Sequence, residues 1–133
     1  MELNSKSVGL LKKVHPDLVR VVKRAAQMTD LDFIVTCGAR TIEEQREMVR
    51  KGASKTMKSR HIIAANGFSH AVDLAAMIGG KLKWDWPLYS RLAKTMKAAA
   101  KAEKVPIEWG GDWTSFKDGP HFQLPWASYP GTK

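Results

Sequence analysis

Apolar positions recur every three to four residues from Pro16 to Met28, with Leu18, Val21, Val22 and Ala25 on one face and Arg20, Lys23 and Arg24 mostly on the other. That spacing, with proline at the start, predicts an amphipathic helix. The run Phe33-Ile34-Val35-Thr36-Cys37 predicts a buried strand, and Gly38-Ala39-Arg40 leads to Thr41-Ile42-Glu43-Glu44, a capping-box pattern that opens a second helix ending near Gly52. From Ala53 to Phe68 no period holds, and the Ser, Lys, Asn and Gly content predicts a long loop, a feature that in a small domain tends to carry function. Ala71 to Ala75 reads as a strand, Gly79-Gly80 as a turn, and Pro87 to Lys101 as a third helix burying Leu88, Leu92, Met96 and Ala99. Two short strands come after it, near Pro106 to Trp109 and His121 to Leu124. This order predicts an α+β fold in which helices pack on a small, mostly antiparallel sheet.

Composition narrows the field. A chain of 133 residues with 44% apolar content and five tryptophans fits a single globular domain spanning residues 1–133. The only cysteine, Cys37, excludes an intrachain disulfide and a four-thiolate zinc site. Within its apolar run it is expected to be a buried strand residue, with a thiol pKa raised by its surroundings. The N-terminus lacks a signal-peptide core and no window approaches a membrane span, so a soluble, cytoplasmically made chain without stable membrane insertion is expected. A formal net charge of +9 favours a polyanionic partner, but the basic residues form no single block and no nucleic-acid motif is recognisable.

The chemistry lies in His61, Asp73 and His121. Two imidazoles and a carboxylate can hold zinc and leave a fourth position open, as catalytic zinc sites do. Asp118, three residues before His121 in Asp118-Gly119-Pro120-His121, is placed to take a proton from an attacking water. Inside Ala71-Val72-Asp73-Leu74-Ala75-Ala76 a carboxylate is costly unless paired or bound to metal. Asp118-Gly119 alone would read as a turn, and Pro120 stiffens it. His70 competes with His61 for the first ligand position. Residues three apart on a strand face opposite ways, which favours His61 and leaves His70 at the surface or behind the ligands. His15, ahead of Pro16, reads as a residue at the helix start.

These motifs carry a resemblance. Ser59-Arg60-His61, Ala71-Val72-Asp73 and Asp118-Gly119-Pro120-His121 resemble the zinc peptidases that cut peptidoglycan peptides, both D-alanyl-D-alanine carboxypeptidases and the L-alanyl-D-glutamate endopeptidases that phages use as endolysins. Gly38-Ala39-Arg40-Thr41 with Gln45, and Trp109-Gly110-Gly111-Asp112-Trp113, resemble the endolysin branch. The family places its first histidine seven residues before the aspartate, whereas His61 precedes Asp73 by twelve, so the stretch from Ile62 to Ser69 is an enlarged turn. Doubling a loop costs only about 0.6 kcal/mol, which allows His61 to return to the metal.

The resemblance implies a hedgehog/D-Ala-D-Ala-peptidase-like fold, a zinc ion on His61, Asp73 and His121, Asp118 as base, and Arg40 binding substrate or supporting the oxyanion. It further implies a monomer that cuts the peptidoglycan stem peptide between L-alanine and D-glutamate, made in the host cytoplasm and reaching the wall through a membrane pore. The alternatives are a D-alanyl-D-alanine carboxypeptidase and a non-catalytic basic polymer-binding module. Gln45 on its own reads as a helix surface residue, and Trp109, Trp113 and Trp126 as core and cleft wall.

Overall fold

The computed structural model describes residues 1–132. Its elements run α1 (Ser5–Leu10), α2 (Pro16–Met28), β1 (Phe33–Cys37), α3 (Ile42–Arg50), β2 (Ala71–Ile78), β3 (Lys81–Lys83), α4 (Trp86–Glu103), β4 (Glu108–Trp109), a 3-10 turn at Gly110–Asp112, and β5 (His121–Gln123). The expected α+β architecture is present. All strand pairs are antiparallel, in the order β1-β2-β5-β4, and β3 pairs with the far end of β2.

Alternation along β2 sends Val72, Leu74 and Ala76 into the core with Phe33, Val35 and Phe122, where the apolar faces of α2 and α4 cover them. Leu18, Val21, Val22 and Ala25 are fully buried on α2, as their spacing predicts. His15 caps α2, its Nδ1 accepting from the Asp17 amide at 3.1 Å, and Thr41 and Glu44 close the capping box of α3. The short α1 and β3 lie outside the predicted elements, and β2 extends three residues past Ala75.

The opposite face of β2 carries Ala71, Asp73 and Ala75. Asp73 pairs with His121 of β5 on one side and with Cys37 of β1 on the other, so three strands set these side chains in one row. An irregularity between Val35 and Cys37 turns Cys37 from the core-facing series onto the Asp73 face. Cys37 is therefore half-buried beside the site, which corrects the expectation of a core residue.

Candidate metal centre and active-site cavity

The loop between α3 and β2 brings in the residue that the sheet cannot supply. A backbone bridge joins Arg40 to Ile62, with the Arg40 amide donating to the His61 carbonyl at 2.7 Å, and this delivers the His61 ring above Asp73. The extra residues of the enlarged turn fold away from the cavity. Ser69 pairs with Val14, Asn66 donates its amide to the Gly131 carbonyl, and the Phe68 ring meets His15 edge-on. The insertion thus packs against Val14, His15 and Gly131, and none of its residues lines the cavity.

His61 Nε2 lies 3.3 Å from Asp73 Oδ1, and His121 Nδ1 lies 3.2 Å from the same oxygen. The outer ring nitrogens are committed elsewhere: His61 Nδ1 donates to the Gly38 carbonyl at 2.8 Å, and His121 Nε2 to Gln123 Oε1 at 2.7 Å. Both inner nitrogens then present lone pairs to a carboxylate, an arrangement that needs a cation or a proton between them. Burial opposes charge on His61, yet the Asp73 carboxylate outweighs it and, with Cys37, pushes its pKa up to about 10. Burial likewise opposes charge on Asp73, but His121 and His61 hold its carboxyl well below the usual range.

The donor set suits a metal ion. For a tetrahedral site with bonds of about 2.0 Å, ligand atoms stand about 3.3 Å apart, close to the two separations measured from Asp73 Oδ1, the atom both histidines share. Carbonyl acceptors behind ligand histidines fix tautomer and ring orientation in such sites. Two overlapping groups have donor atoms within 4.8 Å of one another: Cys37, His61 and Asp73, and Asp73, Asp118 and His121. His70 is not among them. It is 1% exposed, its ring facing the Asn66 amide at 3.1 Å, and it is neither at the surface nor beside Asp73.

A cavity of about 330 Å³ opens over this centre, walled by Arg40, Thr56, Lys58, Trp113 and Asp118 together with the three central residues. Asp118 hangs in a turn that is gripped from both sides. A Cβ on Gly110 would sit 2.4 Å from the Asp118 carbonyl oxygen, and one on Gly119 2.2 Å from the Tyr89 ring, so only glycine lets these segments close up. The Trp109 indole donates to the Gly119 carbonyl at 2.7 Å, and the Trp113 ring leans on His121. Burial, reinforced by the Asp73 charge, raises the Asp118 pKa above the ordinary carboxylate value.

Arg40 reaches the cavity with its fork tied back, Nη1 donating to Gln45 Oε1 at 2.7 Å and Nη2 to Cys37 Sγ at 3.1 Å. Gln45 is fully buried, correcting the expectation of a surface residue, and its amide nitrogen donates to Ser54 Oγ at 2.9 Å and the Thr56 carbonyl at 2.7 Å. Sequence reading misses this because a polar residue on a polar helix gives no sign that a loop folds over it. The Cys37 thiol also departs from expectation: burial raises its pKa, but His61 and Arg40 bring it below normal. Arg60, beside His61, is 4% exposed and donates to the carbonyls of Leu124, Pro125 and Tyr129, while Trp126 lies over its guanidinium at 4.1 Å. Trp109 is half-buried against the core, and Trp126 stays outside both the core and this cavity.

A likeness to solved structures covers nearly all of this arrangement. The chain superposes on the crystal structure of Serratia marcescens L-Ala D-Glu endopeptidase ChiX with a TM-score of 0.86 and 42% identity, over 98% of this chain and 94% of that one. It shares its fold with the vancomycin resistance D,D-dipeptidase VanXYg, at a TM-score of 0.51 and 14% identity over 84% of this chain and 50% of that one. An L-alanyl-D-glutamate peptidase of Listeria phage A118 is 42% identical over 104 residues, 78% of this chain, and the chain spans 34% of that relative's length. The family model described as phage L-alanyl-D-glutamate peptidase matches residues 1–124, from α1 through β5, and the chain belongs to that family.

Proposed function

We propose that this chain is a zinc-dependent endopeptidase that hydrolyses the bond between L-alanine and D-glutamate in peptidoglycan stem peptides. The observation that carries the reading is the convergence of His61 Nε2, Asp73 Oδ1 and His121 Nδ1, at 3.3 and 3.2 Å, on the floor of a cavity that Asp118 overhangs. Zinc held by these atoms would supply a Lewis acid for the scissile carbonyl and would lower the pKa of the attacking water.

The chain's own groups do the rest. Asp118, its pKa raised by burial, is a stronger base than an exposed carboxylate; it accepts the proton of the attacking water and passes it to the leaving amine. Arg40, fixed by Gln45 and Cys37, has no carboxylate partner among the described residues and keeps N–H donors free for a substrate carboxylate or the developing oxyanion. Lys58 adds a second cation to the same wall. A basic wall suits D-glutamate beside the scissile bond, and the net charge of +9 concentrates the enzyme on an acidic polymer. Every group used comes from one copy of the chain. Among the described residues no helix is long and apolar enough to cross a membrane, and we place the action at the cell wall, reached through a membrane pore.

Zinc content and wall turbidity test the reading together. One zinc per chain with lysis that chelator abolishes and zinc restores is expected, with fragment masses placing the cut after L-alanine. Full lysis in chelator would overturn the metal assignment, and release of terminal D-alanine alone would replace the endopeptidase by a carboxypeptidase.

A further inference from the structure

Beside the catalytic cavity lies a second hollow of about 240 Å³, lined by Met57, Lys58, Ser59, Arg60, Ile62 and Trp126. Lys58, Ser59 and Arg60 wall both, so the hollow continues the site along one side. Its outer wall is an aromatic plate: Trp126 is 52% exposed. The ring is backed by Arg60, whose guanidinium lies 4.1 Å from the ring centroid and is itself held by the carbonyls of Leu124, Pro125 and Tyr129. A half-exposed indole stacked on a fixed cation is already ordered before anything binds, which removes much of the entropy cost of using it.

We infer that Trp126 is a stacking platform for the amino sugar that carries the stem peptide, an inference that rests on the reading of the main cavity as a stem-peptide site. The scissile carbonyl belongs to the alanine whose nitrogen is acylated by the lactyl group of the sugar, and an extended residue spans about 3.5 Å, so the sugar ring falls in the region next to the cavity. The C–H face of a pyranose packs on an indole as an apolar surface, and its hydroxyl and N-acetyl groups need polar partners at the edge. Ser59 lines the same hollow and offers a hydroxyl there. The hollow is smaller than the roughly 300 to 1,000 Å³ of pockets that enclose whole drug-sized ligands, which fits one ring with a side open to the continuing strand.

The test compares two substrates with the same stem peptide, one bearing N-acetylmuramic acid on its L-alanine and one beginning at acetylated L-alanine, with the zinc-loaded full chain. We expect kcat/KM about tenfold higher for the sugar-bearing substrate, mostly through KM, a gain worth about 1.4 kcal/mol. Trp126→Ala brings the ratio near one, Trp126→Phe retains part of it, and Trp84→Ala, altering an exposed tryptophan outside both cavities, retains all of it. Because the ratio is taken within one preparation, loss of folded enzyme cancels. A wild-type ratio near one, or a ratio that survives Trp126→Ala, overturns the inference while leaving the peptidase reading intact. Failure of the wild type to cleave either substrate removes both readings.

Discussion

Arg40 and Gln45 are joined by a 2.7 Å hydrogen bond from a guanidinium that enters the cavity to a side chain that no solvent touches. The same amide holds the loop at Ser54 and Thr56, so one buried residue sets both a cationic group and another stretch of the cavity wall. Gln45→Met should lower kcat/KM at least tenfold and cost about 1 to 3 kcal/mol of stability, because three hydrogen-bonding partners lose their match. Gln45→Glu should keep the Arg40 contact and recover part of kcat. Steady-state kinetics beside denaturant unfolding separates the two effects, and equal losses in both variants would remove the link through Arg40.

Asp118→Asn keeps the shape of the turn but removes the base. Turnover should fall about 100- to 10,000-fold with zinc stoichiometry unchanged, the range expected for loss of general base catalysis. Metal analysis and single-turnover hydrolysis on the same sample decide it; near-normal turnover would take Asp118 out of the mechanism.

Cys37→Ser probes the alternative donor group of Cys37, His61 and Asp73. The thiol sits behind His61, 3.6 Å from Nδ1, while Nε2 points to Asp73. Zinc stoichiometry should therefore be unchanged and activity should stay within about threefold, a loss under 1 kcal/mol. Loss of the metal would make the thiol a ligand.

His70 gives the fold an acid limb. Burial, with Arg60 and His15 nearby, pulls its pKa down to about 4. An unfolded histidine titrates near 6.5, so between about pH 6.5 and 4 the unfolded chain binds a proton that the native chain refuses. Stability is undiminished above that window and falls as pH drops through it, by up to about 3 kcal/mol. Urea unfolding in chelator at pH 7 and pH 4 should show a shallower decline for His70→Gln than for wild type, whatever their difference at pH 7. Parallel declines would contradict this.

Gly38→Ala places a Cβ 1.9 Å from the Leu10 carbonyl oxygen, a backbone atom at the end of α1 that can yield only if the helix moves. A loss of about 2 to 4 kcal/mol is expected. The Gly38 carbonyl also receives the proton of His61 Nδ1, so zinc affinity should drop about 10- to 100-fold, as for other groups that orient ligand histidines. Thermal unfolding with and without zinc reads both numbers.

The legible parts of the sequence are those with strong periodicity. The four-residue apolar set on α2 and the strand through Asp73 are fixed by burial against a large core, and both emerge where expected. The α1 segment Ser-Lys-Ser-Val-Gly-Leu is too short to display a period, and β3, Lys-Leu-Lys, is an exposed edge held by pairing alone. Strand alternation misplaces Cys37 because it assumes an unbroken ladder, and one irregular step reverses the facing of every residue beyond it. Gln45 and His70 escape sequence reading for a related reason. Their burial depends on loops that supply the partners making a hidden polar group tolerable, and no local pattern announces those loops.

Arg60 ties the residue next to His61 to backbone carbonyls beyond β5. The stretch matched by the family model stops at residue 124, but a chain cut there would strand a buried guanidinium without the acceptors of Pro125 and Tyr129. Asn66 would lose the Gly131 carbonyl as well. For anyone grafting this catalytic unit onto another carrier, the seam therefore belongs after Gly131, and the few residues past the last strand travel with the chemistry.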